Sequence, residues 1–101
     1  MYGTVARFQA KPGAEKQLTA LLNQFEWHQV PGFVAEYIYR LDSEPDTYFM
    51  VALFENKETY FANADSHEQD ARFRQFRALL VDDPEWHDGE VVYAGSVDQF
   101  Q

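Results

Sequence analysis

His67 carries an imidazole, a group that could take up or release a proton. It also directly follows Ser66, and the commoner fate of a histidine just after a capping serine is an exposed place in the first helical turn. Four residues earlier, the amide of Asn63 could hydrogen-bond a developing anion, or it could simply close a short helix as a left-handed cap. Tyr37 and Tyr39 are two apart in an extended stretch and so project to one side, where their hydroxyls could meet a ligand or their rings could fill a core. Arg74 and Arg77 share a helix face and could hold an anion, although Asp70, four residues before Arg74, is an equally good partner. Trp86, His87, Asp88 and Glu90 bring together imidazole and carboxylates of the kind that bind divalent cations. No HxH or HExxH spacing accompanies them, so the expectation is a solvated acidic loop anchored by Trp86, with no metal. His28, behind Trp27, is accounted for by the negative end of a helix dipole.

Composition narrows the classes of function. The chain has 101 residues, enough for one domain over positions 1–101, and a domain of this size buries only about two thirds of its unfolded surface. There is no cysteine, hence no disulfide, thiolate metal site or cysteine nucleophile, which suits a reducing cytoplasm. The formal charge of -9 repels nucleic acid and anionic bilayers. Residues Met1 to Arg7 read straight into a strand instead of a leader, and no apolar run approaches the ~20 residues that cross a bilayer. Nine Phe and six Tyr exceed what one thin core needs, so a second buried surface is expected.

The elements that must position these side chains follow from periodicity. Tyr2 to Ala10 reads as a strand stopped by Lys11-Pro12-Gly13. Ala14, Leu18, Leu21, Leu22 and Phe25 form one stripe of a helix. After Pro31-Gly32, Phe33 to Leu41 alternates, with Phe33, Ala35, Tyr37 and Tyr39 on one face and Val34, Glu36, Ile38 and Arg40 on the other. Beyond the polar turn Asp42 to Asp46, Thr47 to Phe54 is apolar on both faces and pairs with it as a hairpin. Asn56 caps a short helix through Asn63, and Ser66-His67-Glu68-Gln69 has the form of a capping box. That box opens a helix with the stripe Phe73, Phe76, Leu79 and Leu80, exposed pairs Glu68–Arg72 and Asp70–Arg74, and an end before Pro84. Asp82 to Gly89 reads as the acidic loop, and Glu90 to Ala94 as the last strand.

The order βαββαβ predicts an α+β, ferredoxin-like fold, a four-stranded antiparallel sheet with helices on one face. The strand Thr47 to Phe54 is apolar on both sides, so the uncovered face needs a cover. A second copy of the chain is the economical one, because a two-fold contact uses one patch twice, and a homodimer through facing sheets is expected.

The strand ending in Lys11-Pro12-Gly13, the Pro31-Gly32-Phe33 start of the second strand, and Phe54-Glu55-Asn56-Lys57-Glu58 opening the second helix resemble the antibiotic biosynthesis monooxygenase (ABM) family. The resemblance runs from about Tyr2 to Ala94 and implies the dimeric α/β barrel. Members of that family oxygenate electron-rich aromatic polyketides without metal or flavin: the substrate anion donates an electron to oxygen inside a dry pocket. By this resemblance the function would be a cofactor-independent monooxygenase, or a related isomerase, acting on a small aromatic or enolisable molecule. Its cavity would lie between sheet and helices, lined by Phe8, Tyr37, Tyr39, Phe54 and Phe73, with Asn63 and His67 as catalytic candidates. The haem-degrading branch places an Asn, a Trp and a His at positions that fall here on Ala6, Asn63 and Phe73; none matches, so no haem is expected. A domain of the same fold that only binds a small hydrophobic molecule, or only dimerises, is the alternative.

Overall fold

A computed structural model describes residues 1–97. Strand β1 (Tyr2–Gln9) is followed by helix α1 (Glu15–Asn23), strands β2 (Phe33–Arg40) and β3 (Thr47–Phe54), helices α2 (Lys57–Ala64) and α3 (His67–Arg77), and strand β4 (Glu85–Glu90). The four strands form one antiparallel sheet in the order β2-β3-β1-β4. This is the expected ferredoxin-like arrangement.

Local chemistry sets the element ends. Gly13 and Gly32 have φ of 80° and 78°, a left-handed geometry that a side chain disfavours, and they close the turns before α1 and β2. Asn56 Oδ1 accepts from the Thr59 amide at 2.8 Å, and Ser66 Oγ accepts from the Gln69 amide at 3.1 Å. Each cap satisfies an amide that the first turn would otherwise leave unpaired, so α2 and α3 start where the sequence predicts.

Helix α1 stops earlier than its apolar stripe. Phe25 lies beyond the helix, and Trp27–Gln29 form a separate 3₁₀ turn, so His28 is not at the end of α1. The helix stripe of α3 likewise runs past Arg77; Leu79 and Leu80 belong to the following turn, and Leu80 bridges to Ala10 on the sheet. The core sits between sheet and helices around Ala6, Phe8, Leu18, Tyr48, Met50, Phe76 and Leu80. Phe8 is stacked on Tyr48 at 5.3 Å and meets Phe76 edge-on at 4.9 Å.

Two expectations are corrected. The last strand is Glu85–Glu90, not Glu90 to Ala94; Asp82 to Gly89 is therefore largely strand, paired along β1 from Tyr2↔Glu90 to Arg7↔Glu85. It escaped a periodicity reading because it is a polar edge strand, exposed along its whole length. The alternation of β2 is also interrupted: the register against β3 shifts between Phe33 and Ala35, so Phe33 pairs with Phe54 while Glu36 pairs with Ala52. The extra residue turns Phe33 to the helix side together with Glu36, three positions on. On the other side of the sheet, Val5, Tyr37 and Tyr39 are 48%, 64% and 51% exposed, and no element among the described residues covers them.

Candidate functional site

The helix-facing side of the sheet holds a cavity of about 420 Å³ between β1, β2, β3 and β4 below and α2, α3 and the turn after α1 above. Its size is that of a site for a small organic molecule. Phe33 and Phe54 from the sheet, Phe25 and Trp27 from the turn after α1, and Phe61 and Phe73 from the helices give the wall its aromatic character. Trp27 stacks on Phe33 at 4.8 Å with 13° between the planes, and Phe33 meets Phe54 edge-on at 5.6 Å. These ring contacts hold the wall in place without filling the space.

Polar groups collect at two places. At one, Glu36 rises from β2 into the cavity, where burial pushes its carboxyl up from 4.5 to about 7, an effect that the positive charge of Arg72 partly offsets. Arg72, on α3, donates from Nε to Gln69 Oε1 at 3.0 Å and from Nη2 to Asn63 Oδ1 at 3.0 Å, and its guanidinium lies 5.1 Å from the centre of the Trp27 ring. A guanidinium can only donate, so the atom of Asn63 facing it is the oxygen. The Asn63 Nδ2 amino group is then a donor with no partner among the described residues.

At the other place, Tyr60 on α2 donates its hydroxyl to Asp88 Oδ1 on β4 at 2.8 Å. Burial first, and then this carboxylate, push the phenol above its usual range, so it stays protonated as a donor. Thr4 Oγ1, on the same side of the sheet, accepts from the His87 amide at 3.2 Å.

Of the residues expected to line a site, Phe54, Asn63 and Phe73 are on this wall. Phe8 is not: at 2% exposure it is consumed by the core between Tyr48 and Phe76. Tyr37 and Tyr39 are on the opposite face of the sheet, because the alternation that brings Glu36 inward points them outward. His67 is exposed at the start of α3 and does not reach the cavity. Asn63 is not the left-handed cap that its position suggested; α2 runs one residue further, to Ala64, and no non-glycine described residue has positive φ.

The sequence reading missed Glu36, Arg72 and the Tyr60–Asp88 pair. Arg72 was expected to pair with Glu68 on an exposed face, yet it points inward to Asn63 and Trp27. The second expected pair is present, Arg74 to Asp70 at 2.9 Å, and Arg77 is held by Asp83 at 2.6 Å, so neither arginine is free to clamp a ligand. Trp86 is 43% exposed at the cavity rim with its ring 6.1 Å from that of Phe73, instead of being a buried anchor. His87 pairs with Glu85 at 2.8 Å, and among the described residues no three His, Asp or Glu side chains converge as a metal would require. No helix of the described residues is long and apolar enough to cross a membrane.

Comparison with known proteins agrees with this architecture. The model of the antibiotic biosynthesis monooxygenase family matches residues 1–79. No protein of curated function matches the sequence. Among solved structures, a Bordetella bronchiseptica protein assigned to the same family superposes with a TM-score of 0.79 at 17% identity, covering 91% of this chain and 97% of the other. A family homologue from Chloroflexus aurantiacus gives 0.77 at 20% identity, with 94% and 96% covered. SnoaB, a cofactor-independent oxygenase from Streptomyces nogalater, gives 0.78 at 17% identity, with 92% and 94% covered. At these identities the likeness establishes the shared fold.

Proposed function

Since the chain belongs to the antibiotic biosynthesis monooxygenase family, we propose that it works in this cavity as a cofactor-independent monooxygenase on a flat, enolisable aromatic molecule. The observation that carries the reading is the carboxyl of Glu36 set into an aromatic-walled cavity, with the Asn63 amide donor, which has no partner among the described residues, on the same wall. A carboxyl held at about 7 is half ionised near neutral pH and is a much stronger base than an ordinary glutamate. It can take a proton from a methylene activated by a carbonyl and by aromatic rings, while Asn63 Nδ2 donates to the oxygen on which charge develops.

The carbanion then gives one electron to dioxygen. The substrate radical and superoxide join through a new C–O bond, the peroxide takes back the proton held by Glu36, and loss of water leaves a carbonyl. One methylene and one dioxygen give one carbonyl and one water. The rings of Trp27, Phe33 and Phe54 border the substrate and exclude water that would quench the carbanion. SnoaB, of the same fold, is a cofactor-independent oxygenase, which supports this chemistry.

The reading includes a second copy of the chain packed on the open face of the sheet. Val5, Tyr37 and Tyr39 would leave water there, and with Phe49, Val51 and Leu53 between them they make one apolar surface.

Anthrone, whose methylene lies between two aromatic rings, is a direct probe in an oxygen electrode. The expected result is uptake of dioxygen above the uncatalysed rate, with Glu36→Gln slower by about a hundredfold or more, the range for losing a general base. Exchange of the methylene protons with deuterated water and no oxygen uptake would replace the oxygenase with an isomerase-type activity. Binding without either reaction would make the protein a small-molecule carrier.

A further inference from the structure

A guanidinium has five N–H donors. At Arg72 two are used, on Gln69 and on Asn63, and the Trp27 ring lies against the group. These contacts come from α3 itself, from α2 and from the turn after α1, so the plane of the guanidinium is fixed from three sides. Three N–H groups remain, two on Nη1 and one on Nη2, and one from each nitrogen forms the outer edge of the fork, in a cavity that also contains Glu36. The fixed partners are all neutral. Arg40, Arg74 and Arg77 each sit on a carboxylate, whereas no ion pair of Arg72, or of the exposed Arg7, occurs among the described residues, in a chain with 17 acidic and eight basic residues.

We propose that Arg72 is the anion receptor of this cavity: its free edge, with Asn63 Nδ2 beside it, takes the planar oxyanion of an aromatic enolate or phenolate whose ring lies along Trp27 and Phe33. A fork of donors held in one plane matches a flat, delocalised oxyanion, and a wall of stacked rings matches the rest of such a molecule. Charge bookkeeping points to a single negative charge. Before proton transfer the anion near Arg72 is the Glu36 carboxylate; afterwards it is the substrate oxygen and Glu36 is neutral, so the arginine faces one negative charge throughout. The other acids on the wall are already engaged, Asp70 by Arg74 and Asp88 by the Tyr60 hydroxyl. A phosphate would bring a second charge for which the cavity has no cation. The inference rests on the cavity being the substrate site; it does not depend on the reaction with oxygen.

Lawsone, a hydroxynaphthoquinone that is an enolate at neutral pH, and menadione, its neutral methyl counterpart, isolate the oxyanion, and quenching of Trp27 and Trp86 fluorescence reports their binding. The wild type is expected to prefer the enolate by roughly tenfold to a hundredfold, the range for hydrogen bonds to a charged group. Arg72→Gln is expected to lose that preference and keep its affinity for the neutral quinone, which shows at the same time that the cavity is intact. Arg72→Lys, with charge but no fork, should recover only part of it. A wild type that binds both quinones alike overturns the receptor without any variant, and so does an Arg72→Gln protein that keeps the preference. Preference for the enolate in a protein that takes up no oxygen with anthrone sinks the oxygenase and leaves the receptor standing.

Discussion

Replacing Glu36 with glutamine should change how stability depends on pH, and by an amount the structure allows to be worked out. The carboxyl titrates at about 7 in the folded protein against 4.5 for the same group in water. Between those two values the folded chain holds a proton that the unfolded chain has released, so folding stability from this group is fully present below 4.5 and is lost as pH rises toward 7. At about 1.4 kcal/mol per pH unit, that interval corresponds to about 3 kcal/mol. A glutamine at this position cannot ionise, so the variant should be compared with the wild type by urea unfolding from about pH 4 to about pH 8, at one protein concentration, where every other titrating group cancels in the difference. The variant should gain on the wild type by roughly 3 kcal/mol across that range, nearly all of it before neutrality. A difference that stays flat, or that grows toward acid pH, would refute the idea that Glu36 is buried without a direct partner for its charge. Arg72→Gln should extend the dependence to higher pH and enlarge the total loss, because it removes the positive charge that now limits the shift.

Phe8→Ala should cost about 3–5 kcal/mol in chemical unfolding and leave the affinity for menadione unchanged, since the ring fills the core and does not line the cavity. Asn56→Ala removes the side-chain acceptor for the Thr59 amide and should lower stability by about 1 kcal/mol, with Asn56→Asp close to wild type in the same assay. Val5→Glu places a charge in the middle of the open sheet face and should shift native mass spectra from dimer to monomer; a wild type that is monomeric at micromolar concentration would remove the facing-sheet proposal altogether.

Elements with a strong periodic signal were legible in the sequence. Both helix caps act through the residues expected, Asn56 and Ser66, because a cap is a local contact between a side chain and an amide three residues on. Strand β3 pairs along its full length with both neighbours, as expected of a continuous apolar run of strand length between turn signals. Strand β4 was misplaced for the opposite reason: Glu85 to Glu90 has no apolar alternation, and only its pairing with β1 makes it a strand, whereas Val91, Val92 and Tyr93 carry strand composition with no strand assignment. At the site, Phe54, Asn63 and Phe73, which the family resemblance pointed to, are on the cavity wall. Tyr37 and Tyr39 are not, because which face of a sheet is inside depends on register, and one bulged residue in β2 changes which residues share a face. Arg72 was hidden by a plausible neighbour, Glu68, and only the packing of Trp27 over the cavity shows that the side chain turns inward.

The inward face of β2 shows why the site is more than leftover space. Four of its residues point toward the helices: Phe33, ahead of the bulge, then Glu36, Ile38 and Arg40. Ile38 packs against the core, and Arg40 lies at the sheet edge, where it reaches Glu15. Glu36 alone is charged and set inside, opposite Ala52, where a leucine or a glutamine would fold with less cost. A stabilising role would require a direct ion pair, and Arg72 instead spends its fixed donors on Gln69 and Asn63. Neither residue is arranged to satisfy the other, and each is left available to a ligand: the carboxyl as a base that burial raises and Arg72 holds near neutrality, the guanidinium as a donor edge that stays open. Replacing both, as Glu36→Leu with Arg72→Met, should therefore give a protein more stable than the wild type at about pH 8, by part of the roughly 3 kcal/mol assigned to Glu36, and unable to distinguish lawsone from menadione. If the double variant were instead less stable than either single one, the pair would be holding the fold together, and the case for a binding site built from it would fail.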